Sequence, residues 1–280
     1  MTRKWLITGV SSGFGQELAK AALDRGDHVA GTLRQTGQIA EFEALAPGRA
    51  HGVLLDVTDA DAIAPVVTAA VNRLGGLDVL VNNAGYGMFG CIEELSDGEI
   101  RHCMETNFFG TLGVTRAALP ALRQSAEREA GARILNFSSL AGMCGIPGVG
   151  IYNAAKFAVE GLSEALAIEL APFGIHTTIV EPGGFRTKFG SGSQRMAAQP
   201  MGEYAETPGG QIPKLMAKFA DRAIGDPAKA VRALLAIIDT PSPPLRFAIG
   251  ADVNKAITRK LAQVAQDIET WRELSEATAL

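Results

Sequence analysis

The opening residues constrain the fold of this chain more than any other segment. Lys4–Thr8 is a short apolar run that predicts a β-strand, and a helical pattern of apolar residues begins near Leu18. A glycine loop with Gly9, Gly13 and Gly15 lies between them. In this order, a helix N-terminus presents free N–H groups and a favourable dipole, which suit a pyrophosphate. The segment therefore predicts an α/β chain that begins with a dinucleotide site.

Strand and helix patterns alternate along the rest of the chain. The apolar runs at Val79–Val81 and Thr178–Val180 are typical of parallel strands that are buried on both faces. Asp226-Pro227 is a helix start, because an N-cap residue precedes a proline in the first turn. The alternation predicts a doubly wound, seven-stranded parallel sheet with helices on both faces, in one α/β domain over residues 1–280. The predicted strands are Lys4–Thr8, His28–Leu33, His51–Leu55, Leu77–Val81, Arg133–Ser138, His176–Glu181 and Leu245–Ile249, and predicted helices include Ile63–Leu74, Glu99–Leu122, Tyr152–Ala171 and Pro227–Ile238.

Three polar residues in the middle of the chain form a pattern that suits proton transfer. Tyr152 and Lys156 are four residues apart in a predicted helix, so their side chains share one face. A phenol titrates near pH ~10, and a nearby ammonium lowers the pKa of the phenol. Ser139 precedes this pair and offers a hydrogen bond to the same substrate oxygen. The pattern predicts an acid/base unit, and an ordinary helix face is the alternative for Tyr-x-x-x-Lys taken alone.

Further motifs follow along the chain: Leu55-Asp56-Val57, Asn82-Asn83-Ala84-Gly85, Glu105-Thr106-Asn107, and Pro182-Gly183 with Thr187. Together with the glycine loop and the Ser139, Tyr152 and Lys156 pattern, their order along residues 4–250 resembles that of the short-chain dehydrogenase/reductase family. Phe14 stands where the family usually has an aliphatic residue. The resemblance implies a Rossmann-type domain and hydride transfer between a nicotinamide cofactor and a carbonyl or secondary alcohol. It also implies a catalytic tetrad of Asn107, Ser139, Tyr152 and Lys156. The predicted cofactor contacts are Gly9, Ser11, Ser12, Gly13, Phe14, Gly15, Arg34, Asp56, Val57, Asn83, Ala84, Gly85, Tyr152, Lys156, Pro182, Gly183 and Thr187.

The tetrad residues take separate roles in the mechanism that this resemblance implies. Tyr152 donates a proton to the carbonyl oxygen during reduction, or accepts one during alcohol oxidation. Ser139 holds that oxygen by a hydrogen bond. Lys156 lowers the pKa of Tyr152 and binds the nicotinamide ribose, while Asn107 anchors a water of a proton relay.

The end of the second predicted strand indicates which nicotinamide is bound. An NAD site usually has an acidic residue about 20 positions beyond the glycine loop. Here the strand ends with Leu33-Arg34 and has no carboxylate at that point. Arg34 can contact a 2′-phosphate, and Ser11 or Ser12 can add a hydroxyl. Because the hydroxysteroid and retinol dehydrogenase branch, which the chain resembles, has the same Leu-Arg arrangement, we predict NADP(H) rather than NAD(H).

Composition limits the partners of the protein. A net charge of −4 gives no electrostatic reason to expect nucleic acid. No apolar run reaches about 18 residues, so no membrane span is expected. The chain enters its first strand directly after three residues, so we expect no signal peptide and a cytoplasmic location. Cys91, Cys103 and Cys144 lack metal-binding spacing, and Cys144 is a candidate for lining the substrate cleft.

Two segments depart from the regular α/β pattern. Residues 185–225 are irregular and rich in glycine, proline, methionine and aromatic residues. Their position corresponds to the family's substrate lid, a surface insertion being the alternative, and their composition suits an apolar substrate, although Lys188 or Arg195 could meet an anionic group. Residues 251–280 predict a helical extension. Packing on its own domain is the favoured interpretation, and a homodimer contact is the alternative.

The most specific function that the sequence predicts is an NADPH-dependent reductase of apolar ketones or aldehydes. An NAD-dependent alcohol dehydrogenase is one alternative. A non-catalytic dinucleotide sensor is another, although such proteins generally lack the catalytic tyrosine or lysine, and both are present here. An epimerase or dehydratase usually carries a larger C-terminal domain than this chain of 280 residues provides.

Overall fold

Strands and helices alternate along most of the computed structural model, which describes residues 2–127, 131–185, 193–212, 215 and 225–279. The strands are β1 Lys4–Ile7, β2 His28–Leu33, β3 Ala50–Leu54, β4 Val79–Asn82, β5 Gly87–Phe89, β6 Ala132–Phe137, β7 Ile175–Pro182, β8 Gln194–Met196 and β9 Arg246–Ile249. The helices are α1 Gly13–Asp24, α2 Ile39–Glu43, α3 Ala60–Leu74, α4 Asp97–Met104, α5 Gly110–Ala126, α6 Gly150–Leu170, α7 Pro227–Asp239, α8 Ala251–Thr270 and α9 Arg272–Glu276.

Seven strands form one parallel sheet in the order β3-β2-β1-β4-β6-β7-β9. The chain winds outward from β1 in one direction and then continues from β4 in the other, which creates a switch point between β1 and β4. In sheets of this kind, ligands bind beyond the carboxyl ends of the strands at such a point. The predicted doubly wound, seven-stranded sheet is confirmed, and the predicted strand ends differ from the observed ones by at most two residues.

The sheet separates two layers of helices, and alternate side chains of each strand reach opposite layers. In β1, Trp5 and Ile7 join an apolar cluster with α1 and α7. Leu6 points the other way, into a cluster with α3, α5 and α6. Asp226 caps α7 by accepting hydrogen bonds from the N–H groups of Ala228 and Lys229, so the predicted helix start is confirmed. The two clusters fix the sheet between its helices and hold the strand ends in place.

Two features differ from the predicted pattern. The predicted helix Glu99–Leu122 is divided into α4 and α5 by a π-helical turn, Glu105–Phe109. A second, two-stranded sheet joins β5 to β8. Each of its strands has three residues, which is too short for an alternating apolar pattern to be recognised. This small sheet attaches the described part of residues 185–225 to the chain that follows β4.

Most of α8 and all of α9 extend away from the domain, whereas the favoured interpretation of the sequence expected them to pack on it. Val253 in the first turn of α8 is buried, but the residues after Ile257 are exposed. One contact between the start of α8 and the domain is made by Cys144, whose Sγ lies 3.9 Å from the Ala256 carbonyl oxygen. The predicted packing of this extension on its own domain is therefore wrong, except for the first turns of α8. No helix among the described residues has the length and hydropathy to span a membrane.

Candidate active site

A cleft of about 980 Å³ opens at the carboxyl ends of the central strands. Its wall combines the glycine loop after β1, the turn after β4, the segment after β6 and the turn after β7. Gly9, Asn83, Ser139 and Pro182 line the cleft from these four segments. Residues that are far apart in the sequence thus meet at the switch point of the sheet.

The glycine loop has the shape that a bound pyrophosphate requires. Gly9 and Gly13 have φ values of 73° and 62°, which other residues rarely adopt. A Cβ atom on Gly15 would lie 2.3 Å from the Gly9 carbonyl oxygen, so α1 can approach β1 this closely only with glycine there. Ser12 occupies the N-cap position without a side-chain capping bond. The loop and the first amides of α1 therefore form a cradle that fits the phosphates of a dinucleotide.

Asn83 and Thr8 hold this loop against the turn after β4. The Asn83 side-chain amide donates hydrogen bonds to the carbonyl oxygens of Thr8 and Gly9, at 2.9 and 3.0 Å. The Thr8 hydroxyl accepts hydrogen bonds from the backbone N–H groups of Asn83 and Ala84, at 2.9 and 3.0 Å. Asn83 was predicted as a cofactor contact. Its side chain binds the loop that would hold the cofactor, and it also lines the cleft.

Ser139, Tyr152 and Lys156 lie together at the inner end of the cleft. Tyr152 and Lys156 are 6% and 5% exposed and follow each other on one face of α6. The Ser139 hydroxyl accepts the N–H of Ala141 at 3.1 Å and shares a hydrogen bond with the Tyr152 hydroxyl. Lys156 Nζ donates to the Phe137 carbonyl oxygen at 2.7 Å and lies 5.7 Å from the centre of the Tyr152 ring. The three side chains are thus arranged around one position that a substrate oxygen can occupy.

Burial controls the titration of this group. Burial raises the pKa of Tyr152 above its usual value, and the hydrogen bond with Ser139 opposes that shift. Burial also lowers the pKa of Lys156 from 10.5 to about 8. The expected lowering of the Tyr152 pKa is therefore wrong for this site, since desolvation is the largest cause of the shift and raises the pKa. Tyr152 therefore keeps its proton at neutral pH.

Asn107 lies behind these residues, in the π-helical turn. It is fully buried, and its side-chain amide donates to the carbonyl oxygens of Tyr86 and Cys103, at 3.1 and 3.0 Å. Its Oδ1 accepts the N–H of Tyr86 at 3.2 Å. A Cβ atom on Gly85 would lie 2.6 Å from this Oδ1, so the turn after β4 is pressed against Asn107. The side chain of Asn107 therefore fixes the floor of the cleft, while its predicted part in a proton relay stays a prediction.

The opposite end of the cleft is lined by Arg34 and Asp56 at the ends of β2 and β3. Burial opposes the ionisation of Asp56, but hydrogen bonds from the N–H and hydroxyl of Thr58 prevail and lower the pKa of the carboxyl. Arg34 is exposed beside it. Among the described residues that line the cleft around the end of β2, none is acidic: Thr32, Leu33, Arg34, Gln35 and Gln38.

The turn after β7 is held by a residue that the sequence analysis missed. Asp252, in the first turn of α8, accepts the N–H of Gly184 at 2.8 Å. A Cβ atom on Gly183 would lie 2.3 Å from the same carboxylate, so only glycine leaves room for this contact. Pro182 and Gly183, which were predicted as cofactor contacts, line the cleft, whereas Thr187 lies outside the described residues. No sequence motif marks Asp252, because its partner lies 68 residues away along the chain.

A family model described as short chain dehydrogenase matches residues 3–197. This chain belongs to the short-chain dehydrogenase family. The match covers the glycine loop and the segments that carry Asn107, Ser139, Tyr152 and Lys156. The protein is accordingly an oxidoreductase that uses a nicotinamide cofactor. Its glycine-loop cradle fits the pyrophosphate of such a dinucleotide.

Individual relatives extend the similarity beyond the matched segment. A 3-ketodihydrosphingosine reductase of Bacteroides thetaiotaomicron is 35% identical over 246 residues, which cover 88% of this chain and 87% of the relative. Retinol dehydrogenase 8 of Homo sapiens is 36% identical over 260 residues, which cover 87% of this chain and 80% of the relative. The crystal structure of a short-chain dehydrogenase from Streptomyces avermitilis is 39% identical, with a TM-score of 0.90, and the match covers 99% of this chain and 100% of that one.

Three further side chains of this short-chain dehydrogenase are absent from the described lining of the cleft. Cys144 was a candidate for lining the cleft, but it contacts α8 and is absent from the described lining residues. Met196 is exposed and does not line the cleft either. Glu94 is buried and accepts the N–H of Met201 at 2.9 Å. Glu94 thus anchors the segment that follows β8.

Proposed function

We propose that the protein is an NADPH-dependent reductase of apolar ketones or aldehydes. The main support for this proposal is that the phenol of Tyr152 is neutral and hydrogen-bonded to Ser139 at the inner end of a dinucleotide-sized cleft. A buried tyrosine with a raised pKa holds its proton at neutral pH. Reduction of a carbonyl needs a proton donor at that position, whereas oxidation of an alcohol needs a base.

Each tetrad residue has a definite part in the proposed reduction. The Tyr152 hydroxyl donates its proton to the substrate oxygen, and the Ser139 hydroxyl holds that oxygen in place. The ammonium of Lys156 stabilises the phenolate that remains, because opposite charges attract strongly in a buried site. Asn107 keeps the turn after β4 in position beneath the substrate. The glycine loop and the strand-end turns would hold the dinucleotide, which would supply the hydride.

Incubation of the protein with NADPH and a series of ketones, followed at the absorbance of reduced nicotinamide, tests the proposal. Consumption of NADPH that depends on an apolar ketone supports it. Tight cofactor binding without turnover of any ketone, aldehyde or alcohol would favour the dinucleotide sensor. Faster oxidation of secondary alcohols with NAD than reduction with NADPH would favour the alcohol dehydrogenase.

Arg34 carries the preference for NADP(H) in this proposal. Its side chain is exposed at the end of β2, where none of the described lining residues 32–38 is acidic; the carboxylate beside it, Asp56, follows β3. The guanidinium suits the 2′-phosphate that distinguishes NADP from NAD. The same Leu33-Arg34 pair, with the similarity to retinol dehydrogenase 8, supports a place in the hydroxysteroid and retinol dehydrogenase branch.

Replacement of Arg34 by alanine is expected to weaken NADPH binding roughly ten- to a hundredfold, because a hydrogen bond to a charged group contributes about 1.5–3 kcal/mol. NADH binding is expected to change little. Leu33→Asp should shift the cofactor preference further toward NADH, because the new carboxylate repels the 2′-phosphate and accepts hydrogen bonds from the ribose hydroxyls. Dissociation constants measured by fluorescence titration decide the matter, and equal losses for both cofactors in Arg34→Ala would contradict the NADP assignment.

The substrate end of the cleft supports an apolar substrate. Phe89, Ile146, Val149 and Ile212 line it near Tyr152. Arg195 also lines this end, and its guanidinium lies 4.9 Å from the centre of the Tyr86 ring. The names of two relatives, a 3-ketodihydrosphingosine reductase and a retinol dehydrogenase, likewise refer to largely apolar molecules.

Ile212→Ala is expected to lower kcat/KM about tenfold for a long-chain apolar ketone and much less for a short one, since each lost methylene contact in a pocket weakens binding. Met196→Ala is the matched control, because Met196 lies in the same segment but does not line the cleft. If the control affects long substrates equally, the assignment of Ile212 to the pocket is wrong. If small charged keto acids turn over far faster than apolar ketones, Arg195 becomes the first candidate for a carboxylate contact.

We also propose that residues 185–225 act as the substrate lid. The described part supports this proposal, because β8 pairs with β5 beside the cleft and Ile212 reaches its wall. Two carboxylates fasten the segment: Glu94 accepts the N–H of Met201, and Glu99 accepts the N–H of Ala198 at 2.9 Å. Hydrogen exchange within 193–212 should slow when NADP and a substrate analogue are both bound. Unchanged exchange would contradict the lid.

A further inference from the structure

An apolar stripe runs along α8 and into the residue that follows it. Ile257, Leu261, Val264, Ile268 and Trp271 recur at intervals of four and three residues, so they lie within roughly 80° of one another around the helix. Leu261, Ile268 and Trp271 are 54%, 62% and 64% exposed. In the part of the chain that the structure describes, nothing beyond the first turns of α8 is buried against the body of the domain. We call these five residues the α8 stripe.

The width of the α8 stripe indicates the shape of its partner. A helix that packs on a globular body usually carries three or four apolar residues in every two turns. A strict repeat of two in seven gives the narrow seam that packs against another helix. The α8 stripe follows the narrow repeat. Its partner is therefore expected to be a helix with a similar seam.

Charge is divided along the axis of this helix, and the division favours one orientation. The first half carries three basic residues, Lys255, Arg259 and Lys260, and one acidic residue, Asp252, which is bound to the turn after β7. From position 267 to 276, four acidic residues accompany one arginine: Asp267, Glu269, Arg272, Glu273 and Glu276. Two copies side by side in parallel would place like charges together. Two antiparallel copies place the basic half of each helix against the acidic half of the other.

We propose that the α8 stripe pairs, antiparallel, with the same stripe of a second copy of this chain. The two-fold axis passes near Val264, so each contact between the two helices occurs twice, once on either side of the axis. Lys260 and Asp267 immediately precede the stripe residues Leu261 and Ile268, so both flank the stripe on the same side. In antiparallel helix pairs such flanking positions face each other and form the ion pairs that set orientation. Lys260 of each copy thus lies opposite Asp267 of the other.

A lipid surface fits the α8 stripe less well than a second copy does. Interfacial helices are typically rich in Lys and Arg on the polar face, because cellular membranes are anionic. Residues 251–280 contain four basic and five acidic residues, and four of the acidic ones lie within five positions of Trp271. The pairing is also independent of the proposed reductase activity, since no stripe residue lines the cleft.

Charge reversal tests the proposal without disturbing the stripe itself. Sedimentation velocity at several concentrations should show a monomer–dimer equilibrium for the unmodified chain, because one helix pair is a small interface. Lys260→Glu and Asp267→Lys should each raise the dimer dissociation constant at least about tenfold, since each creates two repulsive pairs. The double variant K260E/D267K restores both ion pairs and should dimerise about as well as the unmodified chain. An equimolar mixture of the two single variants should form a heterodimer.

Several outcomes would overturn the proposal. They are a chain that stays monomeric at every concentration, single variants that dimerise as before, and a double variant that fails to recover. Co-sedimentation with phosphatidylserine vesicles, lost in Ile268→Asp, would assign the stripe to a membrane instead. Circular dichroism and thermal unfolding serve as controls for folding, which should be unchanged because the substituted positions are exposed and far along α8 from the contact of Asp252 with Gly184.

Discussion

Tyr152→Phe is expected to lower kcat for an apolar ketone by about a thousandfold or more, while the NADPH dissociation constant stays within about twofold. The substitution removes the hydroxyl that we propose as the proton donor and that shares a hydrogen bond with Ser139. It keeps the ring, which packs in an apolar cluster with Met88, Ala141 and Val149. Single-turnover absorbance measurements with saturating NADPH separate the chemical step from binding, and a fluorescence titration gives the dissociation constant.

Ser139→Ala is the matched comparison for this experiment. It removes a hydrogen bond to the substrate oxygen but leaves the proton donor, so a smaller loss of about ten- to a hundredfold is expected. Both variants should keep the thermal stability of the parent within a few degrees. Residual turnover above a tenth of the parent value in Tyr152→Phe would remove Tyr152 from the proton-donor role. A large loss of NADPH affinity would instead mean that the hydroxyl positions the cofactor.

The fold was predictable because its determining signals are local. The strand, glycine loop and helix at the start of the chain appear within about twenty residues, and buried parallel strands are nearly continuous apolar runs. Alternation of strands and helices then restricts the topology to a doubly wound sheet. Ser139, Tyr152 and Gly9 each follow from motifs of a few residues, and strand order brings these motifs to one cleft.

Contacts between distant segments were not predictable. The pairing of β5 with β8 joins strands more than 100 residues apart along the chain, and three residues carry no periodic signal. Asp252 and Glu94 look like ordinary surface carboxylates in the sequence, yet each accepts a backbone N–H of a remote turn. Cys144 illustrates the opposite error: closeness to Ser139 in the sequence suggested the cleft, whereas its side chain points toward α8.

The electrostatic balance within the tetrad was likewise hidden from the sequence. The spacing of Tyr152 and Lys156 indicates that a positive charge lies near the phenol, and this predicts a lowered pKa. Desolvation depends on how many atoms surround the pair, which only the packing of α6 against β6 and the turn after β4 determines. Because both side chains are almost fully buried, desolvation prevails, and the pKa values of both groups shift toward their uncharged forms.

Lys156→Met is expected to stabilise the protein at pH 7 while removing most of its activity. Burial lowers the pKa of Lys156 from 10.5 to about 8 in the folded state. At pH 7 the native protein therefore holds an ammonium in a buried site, which lowers the free energy of unfolding by about 3 kcal/mol. Methionine of similar length avoids this penalty but loses the hydrogen bond to the Phe137 carbonyl, worth roughly 1 kcal/mol. A net gain of about 2 kcal/mol follows for the variant.

The pH dependence of this gain distinguishes burial of a charge from a general packing effect. As pH rises above about 8, the native parent releases the Lys156 proton, while the unfolded chain retains it until about 10.5. The unfolded state then binds more protons than the native state, so the stability of the parent increases with pH. The advantage of Lys156→Met should shrink through this window and reverse above it. Urea denaturation at pH 7, 9 and 10.5 measures the difference, with the exposed Lys229→Met as a control that should show no such trend. A variant less stable than the parent at pH 7, by the same amount at every pH, would mean that Lys156 contributes packing and hydrogen bonding to the fold rather than a strained charge retained for catalysis.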